Sequence, residues 1–212
     1  MVTIIDYQIS NLFSVKHACE FLGIEAEISS DKEKLLKSDA AILPGVGAFG
    51  DAMQNLKKLD LIEPIKKFID SGKPFMGICL GMQLLFSESE EFGNHAGLNI
   101  IPGKVTKFPS KNQNGTIVKI PQIGWNQIYE PSEKKWENSP LGSLKNNEFM
   151  YFVHSYFAKP DDNETALSLT DYQGIEYCSS ILRKNVFATQ FHPEKSGKEG
   201  MKIYSNWAKL IV

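Results

Sequence analysis

Short apolar runs alternate along this chain with segments whose apolar residues recur at helical spacing. Each run has a length typical of a buried strand. The predicted strands are Val2–Asp6, Glu25–Ser29, Ala40–Leu43, Pro74–Ile78, Phe149–Val153 and Val186–Phe191, and the predicted helices are Asn11–Phe21, Asp31–Lys37 and Leu80–Phe86. In the first helix Leu12, Val15 and Cys19 share one face, so Cys19 is expected in the core.

The alternation of strands and helices predicts an α/β protein with a largely parallel, mixed-edge sheet flanked by helices. We expect a single domain over residues 1–212. In such sheets the functional side chains collect at the carboxyl ends of the strands. The polar, turn-rich stretch Pro131–Asn147 is predicted to be a surface loop.

Cys79 lies where the strand Pro74–Ile78 gives way to the helix that begins at Leu80. Gly77 and Gly81 stand two residues before and after it, and glycines there permit a strained turn that projects a reactive side chain outward. The helix N-terminus offers unpaired N–H groups and a partial positive charge, which favour a thiolate. A single cysteine is more often a buried structural residue, but this setting indicates a nucleophile.

A thiolate nucleophile needs a base and a group that orients the base. His192 and Glu194 flank a proline just past the predicted strand Val186–Phe191, so both side chains can point to the same side of the chain. An imidazole two residues from a carboxylate is a proton acceptor with its orienting partner. His17 and His95 are interpreted as ordinary residues, one on a helix and one in a polar loop.

The turn Pro44–Gly50 follows the strand Ala40–Leu43 and is rich in glycine. A phosphate cradle would need a Gly-Lys-Ser/Thr ending, and no lysine follows here. An oxyanion hole is the other functional use, because glycine lets a backbone N–H approach a developing negative charge closely. A plain strand-to-helix turn is compatible with either use.

Composition and charge describe an ordinary globular protein. Among 212 residues, 23 are basic and 25 are acidic, so the net charge of −2 gives no indication of a nucleic-acid or membrane surface. Cys19, Cys79 and Cys178 do not make a disulfide framework, and a reducing compartment suits a catalytic thiol. The chain opens on a strand rather than on a basic and then apolar leader, and no apolar run approaches ~20 residues, so we expect a cytoplasmic protein.

Motifs in a fixed order resemble those of the class I (triad-type) glutamine amidotransferases. They are Gly77-x-Cys79-x-Gly81-x-Gln83, Gln190-Phe191-His192-Pro193-Glu194, Pro44-Gly45-Val46-Gly47-Ala48-Phe49-Gly50 and Gly124-Trp125-Asn126. Within that family the chain is most similar to the glutaminase subunits of imidazole glycerol phosphate synthases, and the resemblance spans essentially the whole chain. It implies a flavodoxin-like class I glutaminase fold and the hydrolysis of L-glutamine to glutamate and ammonia in histidine biosynthesis.

The resemblance also implies roles for individual residues. Cys79 would attack the glutamine amide to form a thioester, His192 would shuttle the proton and later activate water, and Glu194 would hold the imidazole. The implied oxyanion hole is Val46, Gly47 and Leu80, and the implied glutamine contacts are Gln83, Glu91, His154, Ser155 and Tyr156. No cofactor is implied. No second His or Cys stands at ligand spacing from His154, so no metal is expected.

Ammonia is mostly protonated at neutral pH and is then no nucleophile, so such a glutaminase needs an acceptor enzyme docked on it. In the family the partner is a (β/α)8-barrel cyclase subunit that receives ammonia through a channel and makes imidazole glycerol phosphate and AICAR. Asn11 and Trp125 match positions that face the barrel, although Trp125 by itself is equally compatible with a buried aromatic. We therefore expect a heterodimer, with no nucleic-acid or membrane partner.

Two departures from the family pattern fall on the expected partner side. Gln8 and Ser10 replace the glycines of Asp-Tyr-Gly-x-Gly-Asn, so the backbone there either avoids positive φ or carries strain. Gln122 stands where a histidine is common. These changes leave open a paralogous glutaminase that supplies ammonia to an amidotransferase making amidino sugars for surface polysaccharide.

Two interpretations from other classes are also open. A non-catalytic scaffold with this fold would predict the loss of Cys79, His192 or Glu194, and all three are present. A stand-alone thiol hydrolase of γ-glutamyl compounds would share the Cys–His chemistry. It would have no use for Asn11 and Trp125 facing a partner.

Overall fold

The computed structural model describes residues 1–9 and 11–211. Its helices are α1 Leu12–Phe21, α2 Lys32–Lys37, α3 Phe49–Lys58, α4 Ile62–Asp70, α5 Leu80–Leu84 and α6 Gly197–Ala208. Its strands are β1 Val2–Ile5, β2 Ala26–Ser29, β3 Ala40–Gly45, β4 Phe75–Cys79, β5 Phe86–Ser89, β6 His95–Ala96, β7 Ile101–Lys107, β8 Gln122–Ile128, β9 Glu148–His154, β10 Tyr156–Pro160, β11 Ala166–Tyr172, β12 Ile175–Arg183 and β13 Val186–Thr189. Short 3-10 turns lie at Asn163–Thr165 and Pro193–Lys195.

The main sheet has the strand order β2-β1-β3-β4-β13-β12-β10-β7-β5-β6, with β11 paired to β12. From β2 to β13 every pair of neighbours is parallel. Beyond β13 the pairs that join β12, β10 and β7 are antiparallel. The predicted α/β class, with a parallel sheet and a mixed edge, is confirmed.

Alternate side chains of the parallel strands face two separate layers of helices. Ile5 and Phe75 pack with α3 and α4, whereas Ile4 and Met76 pack with α1 and α6 on the other side. Cys19 lies fully buried in the second layer, as predicted. This three-layer arrangement leaves the carboxyl ends of β3, β4 and β13 side by side at one edge of the sheet.

Some predicted boundaries are wrong. The strand predicted as Ala40–Leu43 continues to Gly45, so the glycine-rich turn begins later than predicted. The helix predicted as Leu80–Phe86 ends at Leu84, because Phe86 pairs with Ile101 and begins β5. The last predicted strand ends at Thr189 instead of Phe191.

The stretch Pro131–Asn147 is a run of turns with mostly exposed side chains, as predicted for a surface loop, but it also contributes to the core. Trp136 and Leu141 within it are buried in the core. The Trp136 indole N–H donates to the Leu167 carbonyl oxygen at 2.7 Å. These apolar side chains anchor a run of polar turns to the body of the protein.

The backbone at Gln8 has a positive φ, so of the two expectations for this position it is the strained one that the structure shows. Its φ of 70° lies in the left-handed region, which costs free energy for a residue with a Cβ. Ser10 lies outside the described residues. Gln8 therefore holds a positive-φ backbone although it carries a side chain.

Strands β8 and β9 form an antiparallel ribbon of their own with clean alternation between its two faces. Gln122 and Phe152 point inward and are buried, whereas Ile123, Trp125 and Phe149 are exposed on the outer face. The Trp125 side chain is 56% exposed, so its interpretation as a buried aromatic is wrong. Within the described ranges, no helix combines the length and the apolar character needed to span a bilayer.

Candidate active site

Cys79 ends β4 at the middle of the parallel strands, and its backbone is strained. Its φ of 54° and ψ of −110° are unusual for a residue with a side chain. A Cβ at Gly81 would collide with the carbonyl oxygen of Leu43, so only glycine lets α5 approach β3 this closely. The sharp strand-to-helix turn that was predicted from the flanking glycines is therefore present.

His192 and Glu194 lie next to Cys79 because β13 is the parallel neighbour of β4. His192 Nδ1 lies 2.8 Å from Glu194 Oε1, and the side chains are only 2% and 1% exposed. The backbone holds the imidazole in place: the His192 N–H donates to the Tyr151 carbonyl oxygen at 2.9 Å, and the Ser196 hydroxyl donates to the His192 carbonyl oxygen at 2.7 Å. The predicted adjacency of imidazole and carboxylate is present.

The charges around His192 favour its protonated form. Burial lowers the pKa of His192, but the charge on the Cys79 sulfur and the Glu194 carboxylate outweigh burial and raise that pKa from 6.5 to about 10. In the described part of the chain, His192 Nε2 has no hydrogen-bond partner of ordinary geometry. Since Glu194 occupies Nδ1, Nε2 is the ring atom left for proton transfer.

Cys79 opens into a cleft of about 200 Å³. The cleft is lined by Val46, Gly47, Cys79, Leu80, Gln83, Glu91, Val153, His154, Ser155 and Tyr156. It is smaller than the roughly 300–1,000 Å³ typical of pockets for drug-sized ligands, so it suits a small metabolite. Every residue that was predicted for the oxyanion hole or for glutamine contact lines this cleft, and the individual roles stay predictions.

Two of the lining side chains are already held by the fold. Gln83 Nε2 donates to the Tyr156 carbonyl oxygen and to Gln190 Oε1, both at 2.9 Å. Because both of its N–H groups are engaged, Gln83 offers a ligand only its Oε1. Glu91 accepts the Phe49 backbone N–H at 2.7 Å, and burial, which outweighs that bond, raises the pKa of Glu91.

His154 uses both ring nitrogens inside the protein. Nδ1 lies 2.8 Å from the Tyr156 carbonyl oxygen, and Nε2 lies 3.2 Å from the Tyr177 hydroxyl. Burial lowers the pKa of His154 to about 4, so the ring is neutral at physiological pH. The expected side-chain contact from His154 to a ligand therefore has no free nitrogen to make it, and only the backbone remains available.

Sequence reasoning missed some groups that touch this site. Gln190 Nε2 lies 3.6 Å from Cys79 Sγ, and the Val153 carbonyl oxygen lies 4.0 Å from the same sulfur. The Tyr7 hydroxyl donates to the Pro44 carbonyl oxygen at 2.8 Å beneath the glycine-rich turn. Gln190 belongs to the motif around His192, so the sequence indicated that it lies near the site. The sequence did not indicate that its side chain points inward to the sulfur.

A larger cleft of about 510 Å³ lies at the opposite edge of the parallel strands, between Ile69, Arg183 and Val186. None of its lining residues is a cysteine or histidine, so it lacks the thiol–imidazole pair found at Cys79. Nowhere in residues 1–9 and 11–211 do three or more His, Cys, Asp or Glu side chains come together as a metal site would require. The chemistry is concentrated at Cys79.

Comparison with known proteins gives the same picture over the whole chain. Residues 3–210 match the family model described as glutamine amidotransferase class-I. "Imidazole glycerol phosphate synthase subunit HisH" of Syntrophotalea carbinolica is 45% identical over 99% of this chain and 100% of its own length. The protein of the same name from Geobacter metallireducens is 44% identical over 98% and 97%.

Solved structures agree on the fold. A structure described as "glutamine amidotransferase" superposes with a TM-score of 0.73 at 17% identity, covering 100% of this chain and 99% of that one. The structure of PurLQS from Thermotoga maritima gives 0.71 at 21% identity, covering 98% and 97%. The family model covers nearly every residue, and relatives about 45% identical match along their full length. These matches agree with the strained cysteine beside a buried His–Glu pair. The chain therefore belongs to the class I glutamine amidotransferases.

Proposed function

We propose that this chain is the glutaminase subunit of an imidazole glycerol phosphate synthase. Relatives of that name match it from end to end. The observation that carries the chemistry is the placement of the Cys79 sulfur at a strained strand end beside the buried His192–Glu194 pair. The substrate is L-glutamine, and the first product is glutamate with release of ammonia.

In the proposed reaction the Cys79 sulfur attacks the side-chain amide carbon of glutamine. The S–C bond forms as the carbonyl π electrons move to the amide oxygen, which gives a tetrahedral intermediate. When this intermediate collapses, the C–N bond breaks and His192 Nε2 gives its proton to the leaving ammonia. Water, deprotonated by the same imidazole, then hydrolyses the thioester to glutamate. Glu194 keeps the ring oriented throughout, through its 2.8 Å contact with Nδ1.

The cleft supplies the remaining proposed contacts. Val46, Gly47 and Leu80 line it together with Cys79. Their peptide N–H groups are assigned to the negative oxygen of the tetrahedral intermediate, where one such donor typically contributes ~3 kcal/mol. Gln83 Oε1 and the Glu91 carboxylate are assigned to the substrate's N–H groups. His154, Ser155 and Tyr156, at the junction of β9 and β10, are assigned to its α-substituents by backbone and side-chain contacts other than the His154 ring.

Substitution of Cys79 by alanine tests the reaction. The variant should release no glutamate from glutamine, while a complex with the cyclase should still make product from added ammonium. Ser87→Ala, which removes a hydroxyl bonded to Asn99, is the matched control. Glutamate release that survives in Cys79→Ala would remove Cys79 as the nucleophile.

A barrel cyclase is proposed to dock on the outer face of the β8–β9 ribbon, forming a cytoplasmic heterodimer with an ammonia channel. Exposed Ile123, Trp125 and Phe149 form an apolar patch of the kind found at protein interfaces. The same ribbon reaches the active site, because the Tyr151 carbonyl oxygen accepts the His192 N–H and Val153 lines the cleft. Asn11, half-buried at the start of α1, is assigned to the same interface.

The identity of the partner is tested by reconstitution. Glutamate production should rise strongly with the cyclase from the same source and its ribonucleotide substrate, and Trp125→Ala should weaken this stimulation without lowering the melting temperature. Phe21→Ala, which removes an exposed aromatic side chain outside the ribbon, is the control. Stimulation by the barrel of an amidino-sugar pathway in place of the cyclase would reassign the ammonia acceptor.

A further inference from the structure

Two buried side-chain amides, those of Gln83 and Gln190, connect the cleft to the Cys79 sulfur. Gln83 Nε2 donates to Gln190 Oε1 at 2.9 Å, and Gln190 Nε2 lies 3.6 Å from Cys79 Sγ, within hydrogen-bond range for sulfur. Gln190 is fully buried and Gln83 is 5% exposed. Neither contact is required by the His192–Glu194 machinery, so the role of Gln190 needs its own explanation.

The orientation of both amides follows from one backbone carbonyl. The Tyr156 carbonyl oxygen can only accept a hydrogen bond, so the Gln83 atom 2.9 Å from it must be the nitrogen. The Gln190 atom that faces this nitrogen must then be the oxygen, since two N–H groups cannot bond to each other. The remaining atom of Gln190, which faces the sulfur, is therefore an N–H donor, and an amide flip is excluded.

We propose that Gln190 is a catalytic residue whose amide N–H donates to the Cys79 sulfur and stabilises it as the thiolate that attacks glutamine. The Val153 carbonyl oxygen, 4.0 Å from the sulfur, is an acceptor and suits the neutral thiol. The Gln190 N–H is a donor and suits the anion, because hydrogen bonds to charged acceptors are roughly twice as strong as neutral ones. Gln83 holds this donor in position from the other side.

This role, which rests on the proposed attack by Cys79, changes during the reaction. As the S–C bond forms, the negative charge leaves the sulfur for the substrate oxygen, and the thioester sulfur is a weak acceptor. The Gln190 contact therefore favours the free thiolate before attack and again when hydrolysis releases it. Through Gln83 the same donor is linked by a hydrogen bond to a residue that lines the cleft.

Other titratable groups lie near the sulfur or line the same cleft, and the substitutions used in the test do not alter them. They are His192 with its partner Glu194, Tyr7 from the end of β1, and Glu91 and His154 in the cleft lining. Burial and then the Cys79 charge raise the pKa of Tyr7 above its ordinary value of 10.0, so Tyr7 stays protonated through the range studied. A substitution at Gln190 leaves every one of these groups in place.

The test is the pH dependence of Cys79 alkylation by iodoacetamide on the purified full-length chain, followed by the mass of the peptide that contains Cys79. In Gln190→Leu the midpoint should move up by about one pH unit, which is a roughly tenfold slower reaction below the midpoint. Gln190→Glu keeps the acceptor for Gln83 but turns a carboxylate oxygen toward the sulfur, so its midpoint should move up further. This second, near-isosteric variant keeps the test decisive if Gln190→Leu folds poorly.

Gln122→Leu is the matched control, because Gln122 is equally buried but bonds to the Tyr177 hydroxyl and not to the sulfur. Its alkylation midpoint should equal that of the unsubstituted chain. Unchanged midpoints in folded Gln190→Leu or Gln190→Glu would overturn the proposal. Alkylation needs neither glutamine nor a partner, so this result is independent of whether Cys79→Ala abolishes glutaminase activity.

Discussion

Two buried histidines at the same end of the molecule have opposite acid–base properties. Burial lowers the pKa of His154 to about 4. His192 is also buried, yet the sulfur of Cys79 and the carboxylate of Glu194 overcome burial and raise its pKa to about 10. Burial alone therefore does not decide the charge of a histidine.

The difference lies in the partners of each ring. His154 contacts a backbone carbonyl and a tyrosine hydroxyl, which are neutral and cannot compensate for the desolvation of an imidazolium. His192 contacts a carboxylate at 2.8 Å and lies beside a sulfur that can carry negative charge. The region of His154 is organised for packing, and the region of His192 is organised for moving a proton.

His192→Asn should produce the largest effect. The substitution removes the imidazole that is proposed to protonate the leaving ammonia, so glutamate release should fall on the order of 1,000-fold. Ammonium-dependent synthesis in a complex with the cyclase should be unaffected. Initial rates of glutamate formation measure the change, with exposed His17→Asn as the control. A variant within about tenfold of the parent enzyme would place the base elsewhere.

Glu194→Gln should reduce the difference in pKa between His192 and His154. The carboxylate helps to hold the pKa of His192 at about 10, so its neutral replacement should lower that pKa and leave the ring poorly oriented. We expect glutamate release to fall on the order of 100-fold, with the alkaline limb of the pH–rate profile moved to lower pH. An NMR titration of the His192 ring measures the pKa directly.

Glu199→Gln, which breaks a surface ion pair with Lys202, is the control for the loss of one acidic charge. An unchanged titration of His192 in Glu194→Gln would mean that the sulfur alone raises its pKa.

Much of this site could be predicted because its signals are local. The glycines around Cys79 and the two-residue spacing of His192 and Glu194 are visible in short motifs, and the α/β class follows from alternating patterns. The contact between Gln83 and Gln190 joins residues 107 positions apart, and depends on β4 pairing with β13. That pairing is a property of the whole sheet, so no local pattern contained it.

The wrong element boundaries, and the features that the predictions missed, have the same origin. Phe86 continues a helical pattern in sequence, but pairing with Ile101 draws it into a strand, since tertiary contacts override weak local propensity. Trp136 lies among polar turn residues, yet its ring packs in the core, where the Leu167 carbonyl oxygen accepts its indole N–H. His154 matched a ligand-contact position, and only the structure shows that both of its nitrogens are engaged.

His154→Gln should change the pH dependence of stability. A folded-state pKa of about 4 against about 6.5 unfolded means that the unfolded chain binds the proton first, so stability falls as pH drops from 6.5 toward 4. This residue should account for about 2 kcal/mol of unfolding free energy lost between pH 7 and pH 5. His192 has the opposite sign, since its raised pKa stabilises the fold at low pH and loses that contribution toward pH 10.

Urea unfolding of both proteins at pH 7 and pH 5 isolates the His154 contribution, because the His192 contribution cancels between them. The loss on acidification should be smaller in His154→Gln, and His17→Gln should behave like the parent. If His154→Gln and the parent lose the same unfolding free energy on acidification, the pKa of His154 is the same in the folded and unfolded states.

Tyr177→Phe should have the smallest effect and separates the two regions most cleanly. The change removes the hydroxyl that lies 3.2 Å from His154 Nε2 and donates to Gln122 Oε1 at 2.9 Å, leaving both groups buried without it. The unfolding free energy should fall by about 1 kcal/mol, measured by urea denaturation against Tyr129→Phe, whose hydroxyl bonds to exposed Glu176. Glutamate release should change by less than about twofold, because His154 supports the fold through neutral contacts and no step of the reaction uses its ring. A large loss of activity without a loss of stability would mean that the polar contacts of His154 contribute to the reaction. The assignment of His154 to packing and of His192 to proton transfer would then be wrong.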